Sequence, residues 1–404
     1  MPASTYRFVM PSPRAGHYSV VVGDGLLGPR SPVIASALGG QRALLVTTPT
    51  VASHYAASFD ALAREQKISY DTLVLACDEA HKTLARVETI CARALDMQIE
   101  RRGVLIALGG GICSDLVGVA ASMIRRGIVH VRIPTTLIAQ IDAGIGIKAA
   151  VNFGAKKSFL GSFYPPGAVI VDPAFLATTS PRMLRHGLSE ILKIAIVRDA
   201  TLFDLVAEHH AQLVRTRFRH PVEPARQIIA LAIQDMLEEL APNLYEDQTY
   251  ERRVDFGHTF SPLFEAMSAF TIPHGDAVSL DMALTVNIAA ELGYLSDVHR
   301  VAILDTMAEV GLPVHHPVMT VDVCVAAMMA TLPHRDGRLN LVLPTSVGQS
   351  TFWPDVIPTR VLEAALARLP RGGRGQRMLP RRPAEAGDVD TGEVVPAPRA
   401  AAAR

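Results

Sequence analysis

Three side chains of metal-binding types stand out in the sequence: Glu190, His258 and His274. Glu190 interrupts an otherwise apolar helical stretch, His258 follows a Phe-Gly pair, and His274 follows a proline. A carboxylate on an apolar helix face costs free energy unless a cation meets it. Two imidazoles and one carboxylate bind a divalent metal and leave coordination positions open for substrate oxygens. These residues therefore indicate a candidate catalytic metal site.

Spacing alone leaves other interpretations of these residues open. Lys193, one turn after Glu190, is an alternative partner for its carboxylate, and His186 offers a rival i, i+4 pairing. The chain contains 14 histidines, and a histidine near a glycine is more often a capping or surface residue than a ligand. The spacing does not decide which of these residues bind metal.

A second candidate site is the turn Gly109–Gly111, which follows an apolar run and precedes a helical pattern. Glycines let the backbone approach a pyrophosphate, and free N–H groups at a helix start favour its negative charge. The dinucleotide fingerprint is incomplete because Ser114 occupies its last glycine position. An ordinary tight strand–helix connection explains the turn equally well. A Walker A loop is excluded, since Ala155 stands where the nearest candidate needs glycine.

Polar and cationic residues recur between Arg125 and Ser158 in an otherwise apolar background. Lysine and arginine suit a phosphate group, and carboxylate and amide groups suit hydroxyls. The stretch contains Arg126, Asp142, Lys148, Asn152 and Lys157. It indicates a site for a phosphorylated polyol, and a solvated loop with scattered charges is the alternative interpretation.

Composition narrows the class of protein. The 404 residues include 39 Lys plus Arg and 39 Asp plus Glu, so no long-range field attracts nucleic acid or an anionic membrane. Four scattered cysteines without a CxxC pair indicate reduced thiols. The sequence shows neither a signal-peptide h-region nor an apolar run of the roughly 20 residues that span a bilayer. We expect a cytoplasmic protein with no nucleic-acid or membrane partner.

The elements that must position these residues change in character along the chain. In the first part, short β-branched runs alternate with helical patterns, which predicts a parallel sheet covered on both faces. The predicted strands are Tyr18–Val22, Ala43–Thr47, Thr72–Leu75, Val104–Leu108, Val129–Ile133 and Val169–Val171. From Pro181 to about Leu369, long amphipathic segments predict helices.

The expected fold class is therefore an N-terminal Rossmann-like α/β domain, residues 1–175, followed by an all-α domain, residues 176–370. The boundary falls where Pro173 and a Ser/Thr cluster interrupt the pattern. The tail, residues 371–404, is rich in Arg, Pro, Gly and Ala and contains almost no large apolar residues. It cannot bury enough surface to offset its ordering entropy, so we predict that it is disordered.

Taken together, the motifs resemble those of the dehydroquinate synthase superfamily of sugar phosphate cyclases. The matching segments are Glu79-Ala-His-Lys82-Thr, Gly109-Gly-Gly-Ile-Cys-Ser-Asp115, Arg125-Arg-Gly, Ile133-Pro-Thr-Thr-Leu-Ile-Ala139, Asp142-Ala-Gly-Ile-Gly-Ile-Lys148, Gly187-Leu-Ser-Glu190-Ile-Leu-Lys193, Asp255-Phe-Gly-His258 and His274-Gly-Asp276-Ala. They occur in the family's order and cover about residues 15 to 365. No single motif is decisive, but the ordered set is highly specific.

The resemblance implies an NAD-binding α/β domain, a helical metal- and substrate-binding domain, an active site in the cleft between them, and a homodimer. It implies that Glu190, His258 and His274 hold zinc or sometimes cobalt. The residues at NAD positions are Glu79, Lys82, Gly110, Gly111, Asp115, Thr135 and Thr136. The residues at substrate or catalytic positions are Arg126, Asp142, Lys148, Asn152, Lys157, Lys193, Asp255 and His334.

Departures from the dehydroquinate synthase pattern indicate a subgroup. Asp255 and Pro262 stand where that enzyme has Asn and a second His. The run between them is similar to that of the 2-epi-5-epi-valiolone synthases and the related desmethyl-4-deoxygadusol synthases, which share the substrate sedoheptulose 7-phosphate. His334 looks like the histidine of the valiolone type. Thr48 stands where the family usually has an acid for the adenosine ribose, which predicts weaker NAD binding.

The implied reaction is cyclisation of sedoheptulose 7-phosphate to 2-epi-5-epi-valiolone. It combines transient oxidation with NAD, loss of phosphate, re-reduction and an intramolecular aldol step. The alternatives are desmethyl-4-deoxygadusol synthase, 3-dehydroquinate synthase, a metal-dependent polyol dehydrogenase and an inactive sugar phosphate-binding homologue. Net release of NADH would identify the dehydrogenase, and absence of phosphate release would identify the binding protein.

Overall fold

The computed structural model describes residues 6–12, 16–154 and 156–370, so the predicted disordered tail lies outside the described residues. The strands are β1 (Tyr6–Ser12), β2 (Gly16–Val22), β3 (Ala43–Thr47), β4 (Tyr70–Val74), β5 (Val104–Gly109), β6 (Val129–Pro134), β7 (Lys148–Phe153), β8 (Lys156–Phe163), β9 (Ala168–Val171), β10 (Leu341–Ser346) and β11 (Gln349–Trp353). The helices are α1 (Val33–Leu38), α2 (Pro49–Glu65), α3 (Leu84–Asp96), α4 (Gly111–Met123), α5 (Pro181–Arg198), α6 (Ala200–Thr216), α7 (Val222–Leu240), α8 (Ser261–Met267), α9 (His274–Glu291), α10 (Asp297–Val310), α11 (Val321–Thr331) and α12 (Thr359–Ala367).

The main sheet has seven strands in the order β1-β2-β9-β6-β5-β3-β4. Strand β1 pairs antiparallel with β2, and all other neighbours are parallel. Strands β3 and β5 are buried along their whole length, as expected for a sheet covered on both faces. All six strands that the sequence predicts are present, which confirms the α/β part of the fold.

The sheet has a topological switch point between β3 and β5. From β3 the chain moves to the edge strand β4, and it then returns to pair β5 on the other side of β3. Helices α2 and α4 consequently leave the carboxyl ends of these two strands on opposite faces. In open α/β sheets, ligands bind in the crevice at this point. The glycine turn that follows β5 lies there.

The C-terminal part is mostly helical, as the sequence predicts, with α5 and α9 at its centre. Nearly every residue of α9 and of the second half of α5 is buried. The hairpin β10–β11 is an addition to the predicted all-α architecture. It turns at Gly348, whose φ of +79° suits glycine, and its short apolar run packs on α5 and α9. Within the described ranges, no helix is long and apolar enough to cross a membrane.

The core of the helical part continues onto the sheet. One apolar cluster contains residues of α5, α7 and α9 together with Tyr18 and Val20 of β2 and Val169 of β9. Two further clusters cover the two faces of the sheet under α1–α2 and under α3–α4. The division at residue 175 therefore stays a prediction, because packing continues across it.

The polar stretch after β6 forms the antiparallel hairpin β7–β8 and not a solvated loop. Ala149 and Val151 of β7 are buried against α4, whereas Lys148 is exposed. This alternation is typical of a strand with one buried face. The hairpin holds Lys148, Asn152 and Lys157 on a short, fixed piece of backbone beside the sheet.

Candidate active site

The structure brings Glu190, His258 and His274 together. One ligand atom from each lies within 4.8 Å of the other two. Glu190 comes from the buried helix α5, His258 from the loop before α8, and His274 from the first residue of α9. These residues are far apart in the sequence, and packing of α5 against α9 brings them together. The convergence that the sequence predicts is therefore present.

The carboxylate of Glu190 fits a cation. The residue is 1% exposed, and among the described residues neither of its oxygens has a hydrogen-bond partner of normal geometry. Nζ of Lys193 lies 2.9 Å from Oε2, and Nε2 of His274 lies 3.3 Å from Oε1. A buried carboxylate with unfilled acceptor positions is costly unless a positive charge meets it. A metal ion held with the two histidines would fill those positions.

Both imidazoles are oriented for metal binding through Nε2. Nδ1 of His258 lies 3.2 Å from the carbonyl oxygen of Phe256, and Nδ1 of His274 lies 2.9 Å from Oε1 of Glu265. Metal-bound histidines commonly present their second nitrogen to a carbonyl or carboxylate in this way. Glu265 was not predicted from the sequence. In the structure it is a buried acid of α8 that pairs with His274 and Lys157.

The electrostatics favour metal-binding protonation states at two of the three residues. Burial, and then the charge of Lys193, lower the pKa of His258 to about 4, so its imidazole is neutral at pH 7. Burial would raise the pKa of Glu190, but Lys193 and the neighbouring histidines lower it well below its usual range. The pKa of His274 is raised by Glu190 and Glu265 against the opposing effect of burial. Metal binding at His274 must therefore release a proton.

The structure also shows the positions of Lys193 and His186, the alternative partners of Glu190. Nε2 of His186 lies 3.3 Å from Asp276, so His186 makes a different contact. Lys193 does pair with Glu190, and its Nζ lies 2.9 Å from Asp142 as well. Burial would lower the pKa of Lys193, but the two carboxylates raise it. Lys193 is thus a buried, protonated bridge between the candidate metal site and the helical turn Ala139–Ala143 that follows β6.

A chain of ion pairs extends from this cluster to the hairpin. Nζ of Lys157 lies 2.6 Å from Glu265 and 3.7 Å from Glu79. Nδ2 of Asn152 donates to Oε1 of Glu79 at 2.8 Å. The predicted substrate residues Lys157 and Asn152 therefore lie beside the predicted NAD residue Glu79 and close to the histidine cluster.

Asp255 lies in a second charged group. Arg252 donates to both of its oxygens at 2.8–2.9 Å, and Nη2 of Arg335 lies 3.0 Å from Oδ2. Burial would raise the pKa of Asp255, but these arginines lower it. Glu246 also pairs with Arg252 and with the predicted substrate residue Lys148. The sequence analysis did not identify either arginine, although Arg335 directly follows the predicted residue His334.

The predicted NAD residues meet at the switch point. The backbone N–H of Thr135 donates to the carbonyl of Gly109 at 2.9 Å, which places the Thr135–Thr136 segment beside the glycine turn. Gly110 is the N-cap of α4 and provides no side-chain cap. The first N–H groups of α4 therefore remain available for a pyrophosphate.

Close packing at this turn explains Gly111, because a Cβ there would lie 3.0 Å from that of Ala143. Nζ of Lys82 lies 2.6 Å from Asp115 and donates to Ser158 at 3.1 Å. Thr48 accepts a hydrogen bond from the N–H of Val51 and so caps α2. Its hydroxyl hydrogen is left to donate, which is compatible with a weak ribose contact.

Two predicted residues do not join these groups in the single chain. Arg126 is exposed and precedes the amino end of β6, whereas Thr135 follows its carboxyl end. Arg125 beside it pairs with Glu100, which precedes β5 at the same amino edge. His334 is exposed on a short turn. The roles of Arg126 and His334 stay predictions.

Comparison with known proteins agrees with this arrangement. Residues 72–186 match the family model described as 3-dehydroquinate synthase N-terminal, and residues 187–331 match the C-terminal one. The 2-epi-5-epi-valiolone synthase of Streptomyces hygroscopicus subsp. jinggangensis is 42% identical over 385 residues, covering 93% of this chain and 91% of the relative. That of Streptomyces glaucescens is 38% identical, covering 91% and 95%.

A solved structure shows the same architecture. It is ValA, the 2-epi-5-epi-valiolone synthase of Streptomyces hygroscopicus subsp. jinggangensis, with NAD+ and Zn2+ bound. The TM-score is 0.82 at 42% identity, and the match covers 87% of this chain and 96% of ValA. On the family match and these relatives, the chain belongs to the 3-dehydroquinate synthase family.

Proposed function

We propose that this protein cyclises sedoheptulose 7-phosphate to 2-epi-5-epi-valiolone with loss of phosphate. The observation that carries the proposal is the convergence of Glu190, His258 and His274. Lys193 links this cluster to Asp142, in the helical turn Ala139–Ala143 that packs beside the glycine turn. The relatives at 38–42% identity that cover most of the chain have this activity in their names. Desmethyl-4-deoxygadusol synthase and 3-dehydroquinate synthase remain the alternative activities.

We propose NAD and zinc as the cofactors, with cobalt as the alternative metal. ValA holds NAD+ and Zn2+, and the donor set and the uncapped start of α4 suit both groups. When bound, NAD accepts and returns a hydride, and the metal acts as a Lewis acid on the substrate hydroxyls. The proposed NAD residues are Glu79, Lys82, Gly110, Gly111, Asp115, Thr135 and Thr136.

Lys193 and Asp142 are proposed to orient the substrate through hydrogen bonds. The buried ammonium of Lys193 has three donors, and Asp142 and Glu190 each lie 2.9 Å from it. The remaining donor is available to a substrate oxygen. Asp142 is 28% exposed and has acceptor positions left for a hydroxyl. Both groups are fixed by their mutual contact before substrate arrives, which reduces the ordering cost of binding.

Lys148, Lys157 and Asn152 are proposed to bind the phosphate end of the substrate. Lys148 is 60% exposed and Lys157 is 36% exposed, so both ammonium groups are accessible. A phosphate dianion would compete with Glu246 and Glu265 for them. The hairpin β7–β8 fixes the spacing of the three residues through its strand register.

Asp255 is proposed to accept a hydrogen bond from a substrate hydroxyl. Oδ2 is occupied by both arginines, but Oδ1 accepts only from Arg252 among the described residues. A carboxylate here also repels an acidic substrate group. We expect Asp255→Asn to lower kcat/KM for sedoheptulose 7-phosphate by about 10- to 100-fold, since a hydrogen bond to a charged group contributes about 1.5–3 kcal/mol.

Steady-state kinetics measure this effect, with Asp297→Asn as the matched control. Asp297 is an exposed aspartate that also pairs with two arginines, Arg300 and Arg368. Its amide variant should retain wild-type kinetics. Unchanged turnover by Asp255→Asn would remove the structural reason for choosing this substrate over the dehydroquinate synthase substrate.

The function is tested by incubating the zinc- and NAD-loaded protein with sedoheptulose 7-phosphate. Phosphate release is followed by a colorimetric assay and the product is identified by NMR. We expect stoichiometric phosphate, no net NADH and the valiolone product. Accumulating NADH would indicate a polyol dehydrogenase. A gadusol-type product would indicate a desmethyl-4-deoxygadusol synthase, and absence of phosphate release would indicate a binding protein.

We further propose that the protein is a cytoplasmic homodimer and that residues 1–175 and 176–370 form two functional domains. The family resemblance supports the dimer, and the neutral net charge and scattered cysteines support the compartment. Sedimentation equilibrium of the purified chain at micromolar concentration measures the oligomeric state directly.

A further inference from the structure

Arg132 is a buried arginine whose role is not explained by the groups above. It lies in β6 and is 0% exposed. Nη1 donates to the carbonyl oxygens of Gly144 at 3.3 Å and Gly146 at 2.6 Å, and Nη2 donates to that of Lys148 at 3.3 Å. One guanidinium thus holds three carbonyls of the segment 144–148.

A second side chain of the sheet holds the same segment. The hydroxyl of Tyr18, in β2, donates to the carbonyl of Ile145 at 2.9 Å. Tyr18 is 1% exposed, so this hydrogen bond forms away from solvent. Four of the five carbonyls between Gly144 and Lys148 therefore accept hydrogen bonds from buried side chains.

The held segment connects two candidate substrate residues. Asp142 lies just before it and pairs with Lys193, which pairs with Glu190. Lys148 lies at its other end and begins β7. Glycines at 144 and 146 leave the backbone intrinsically free. Loss of the three hydrogen bonds from Arg132 would leave Tyr18 as the other buried side chain that holds this segment. We expect the loosened backbone to shift, and Asp142 and Lys148 to move with it.

The surroundings of Arg132 are adapted to the charged side chain. A Cβ on Gly118 of α4 would lie 3.4 Å from Nη2 and 2.7 Å from Cβ of Ala149, so glycine provides the space. Burial lowers the pKa of Arg132, and the charge of Asp115 opposes this. Burying a guanidinium costs free energy unless its donors are used. Here three backbone carbonyls of segment 144–148 and Nε2 of His130, at 3.2 Å from Nε, accept from them.

We propose that Arg132 is a positioning residue that fixes segment 144–148 and thereby aims Asp142 and Lys148 at the substrate. The kinetic part of this proposal rests on the proposed function, but the structural part does not. It adds to the reaction a residue that does not touch the substrate, yet sets the geometry of two residues that do.

The test uses Arg132→Met, Arg132→Lys and Tyr18→Phe in the full-length protein with zinc and NAD. Hydrogen–deuterium exchange of peptides spanning 142–150 is measured together with kcat, KM, zinc content and NAD affinity. We expect faster exchange in this segment, kcat lowered about 100-fold in Arg132→Met, since a displacement of 1 Å can cost that much, and unchanged zinc content and NAD affinity. Arg132→Lys should restore part of kcat, and Tyr18→Phe should show a smaller effect of the same kind.

Arg185→Met is the matched control. Nε of Arg185 donates to the carbonyl of Val310 at 3.1 Å, between α5 and α10, so its loss removes a comparable contact elsewhere. It should leave kcat and the exchange of segment 142–150 unchanged. Unaltered exchange in all three test variants, or equal losses of kcat in Arg185→Met and Arg132→Met, would overturn the proposal.

Two further outcomes distinguish a failure of the Arg132 proposal from a failure of the proposed function. If Arg132→Met does not fold, Tyr18→Phe and Arg132→Lys carry the test, because each keeps most of the buried volume. If the wild-type protein does not turn over sedoheptulose 7-phosphate, the proposed function fails. The exchange measurement then still decides whether Arg132 holds the segment.

Discussion

Glu190→Gln is expected to abolish metal retention and to lower turnover of sedoheptulose 7-phosphate by about 10³-fold or more, since a metal contributes several kcal/mol of charge stabilisation in such reactions. The substitution keeps the size of the side chain and removes its charge. The two imidazoles alone are a weak site for zinc, which prefers at least three protein ligands. Lys193 keeps its second partner, Asp142, so the fold should persist.

Elemental analysis after dialysis measures the bound zinc, and thermal unfolding checks the fold. Glu265→Gln is the graded control, because Glu265 contacts Nδ1 of His274 and not the metal position. Loss of such an outer partner typically weakens metal binding by about 10- to 100-fold. A Glu190→Gln protein that retains one zinc per chain would refute the assignment of this carboxylate.

The strands of the α/β part were predictable from local sequence. Each predicted strand is a β-branched run between turn residues, and in a parallel sheet such runs are buried on both faces and read as continuous apolar segments. The hairpin β7–β8 was not predicted, because one of its faces is polar and its alternation resembles a loop with scattered charges. The hairpin β10–β11 was missed because its apolar run is only four residues long, and such runs are ambiguous.

The metal candidates were predictable only as an ordered set of motifs. Spacing left open whether Glu190 pairs with a metal, with Lys193 or with His186. In the structure it contacts Lys193 and His274, with a ligand atom of His258 within 4.8 Å, while His186 contacts Asp276 instead. Convergence of helices α5 and α9 is a tertiary event that no local pattern encodes. The family resemblance indicated three residues that the structure brings together, because it carries that tertiary information.

The partners of the candidate residues were not predictable from local sequence. Glu265 and Lys157 form an ion pair although 108 positions separate them in the sequence. Arg335 and Asp255 form another, and helices α8 to α11 lie between them in the sequence. Arg132 was visible only as one more cation in a polar stretch. Its function depends on carbonyl oxygens, which every residue has, so the sequence gives no signal for them.

Lys193→Met is expected to lower kcat by about 10²- to 10³-fold and to destabilise the metal-free protein much more than the zinc-loaded protein. Lys193 is 3% exposed and bridges Asp142 and Glu190. Removing one partner of a buried ion pair costs about 3–5 kcal/mol, because a charge remains buried without compensation. Bound zinc supplies a positive charge next to Glu190, so it should compensate most of this loss.

In the metal-free protein, Lys193→Met should also reverse the pH dependence of the contribution that Glu190 makes to stability. In the wild type the folded-state pKa of Glu190 is lowered, so its contribution to stability is present above the unfolded pKa of about 4.3 and is lost as pH falls. Without Lys193 the largest cause that lowers the pKa of Glu190 is gone, and we expect burial to outweigh the remaining effect of the two histidines and to raise the folded pKa. The contribution of Glu190 is then present at acidic pH and is lost as pH rises through the new folded pKa.

Thermal unfolding of the metal-free proteins between pH 5 and pH 8 distinguishes these cases. The decrease in unfolding temperature caused by Lys193→Met, compared with the wild type at the same pH, should be larger at pH 8 than at pH 5. Lys193→Arg keeps the charge and should follow the wild type in its pH dependence while losing activity, since the larger planar group does not fit the position of the ammonium. Equal losses of stability with and without zinc would mean that Lys193 does not compensate the charge of Glu190, and the bridge to Asp142 would then be a packing contact only.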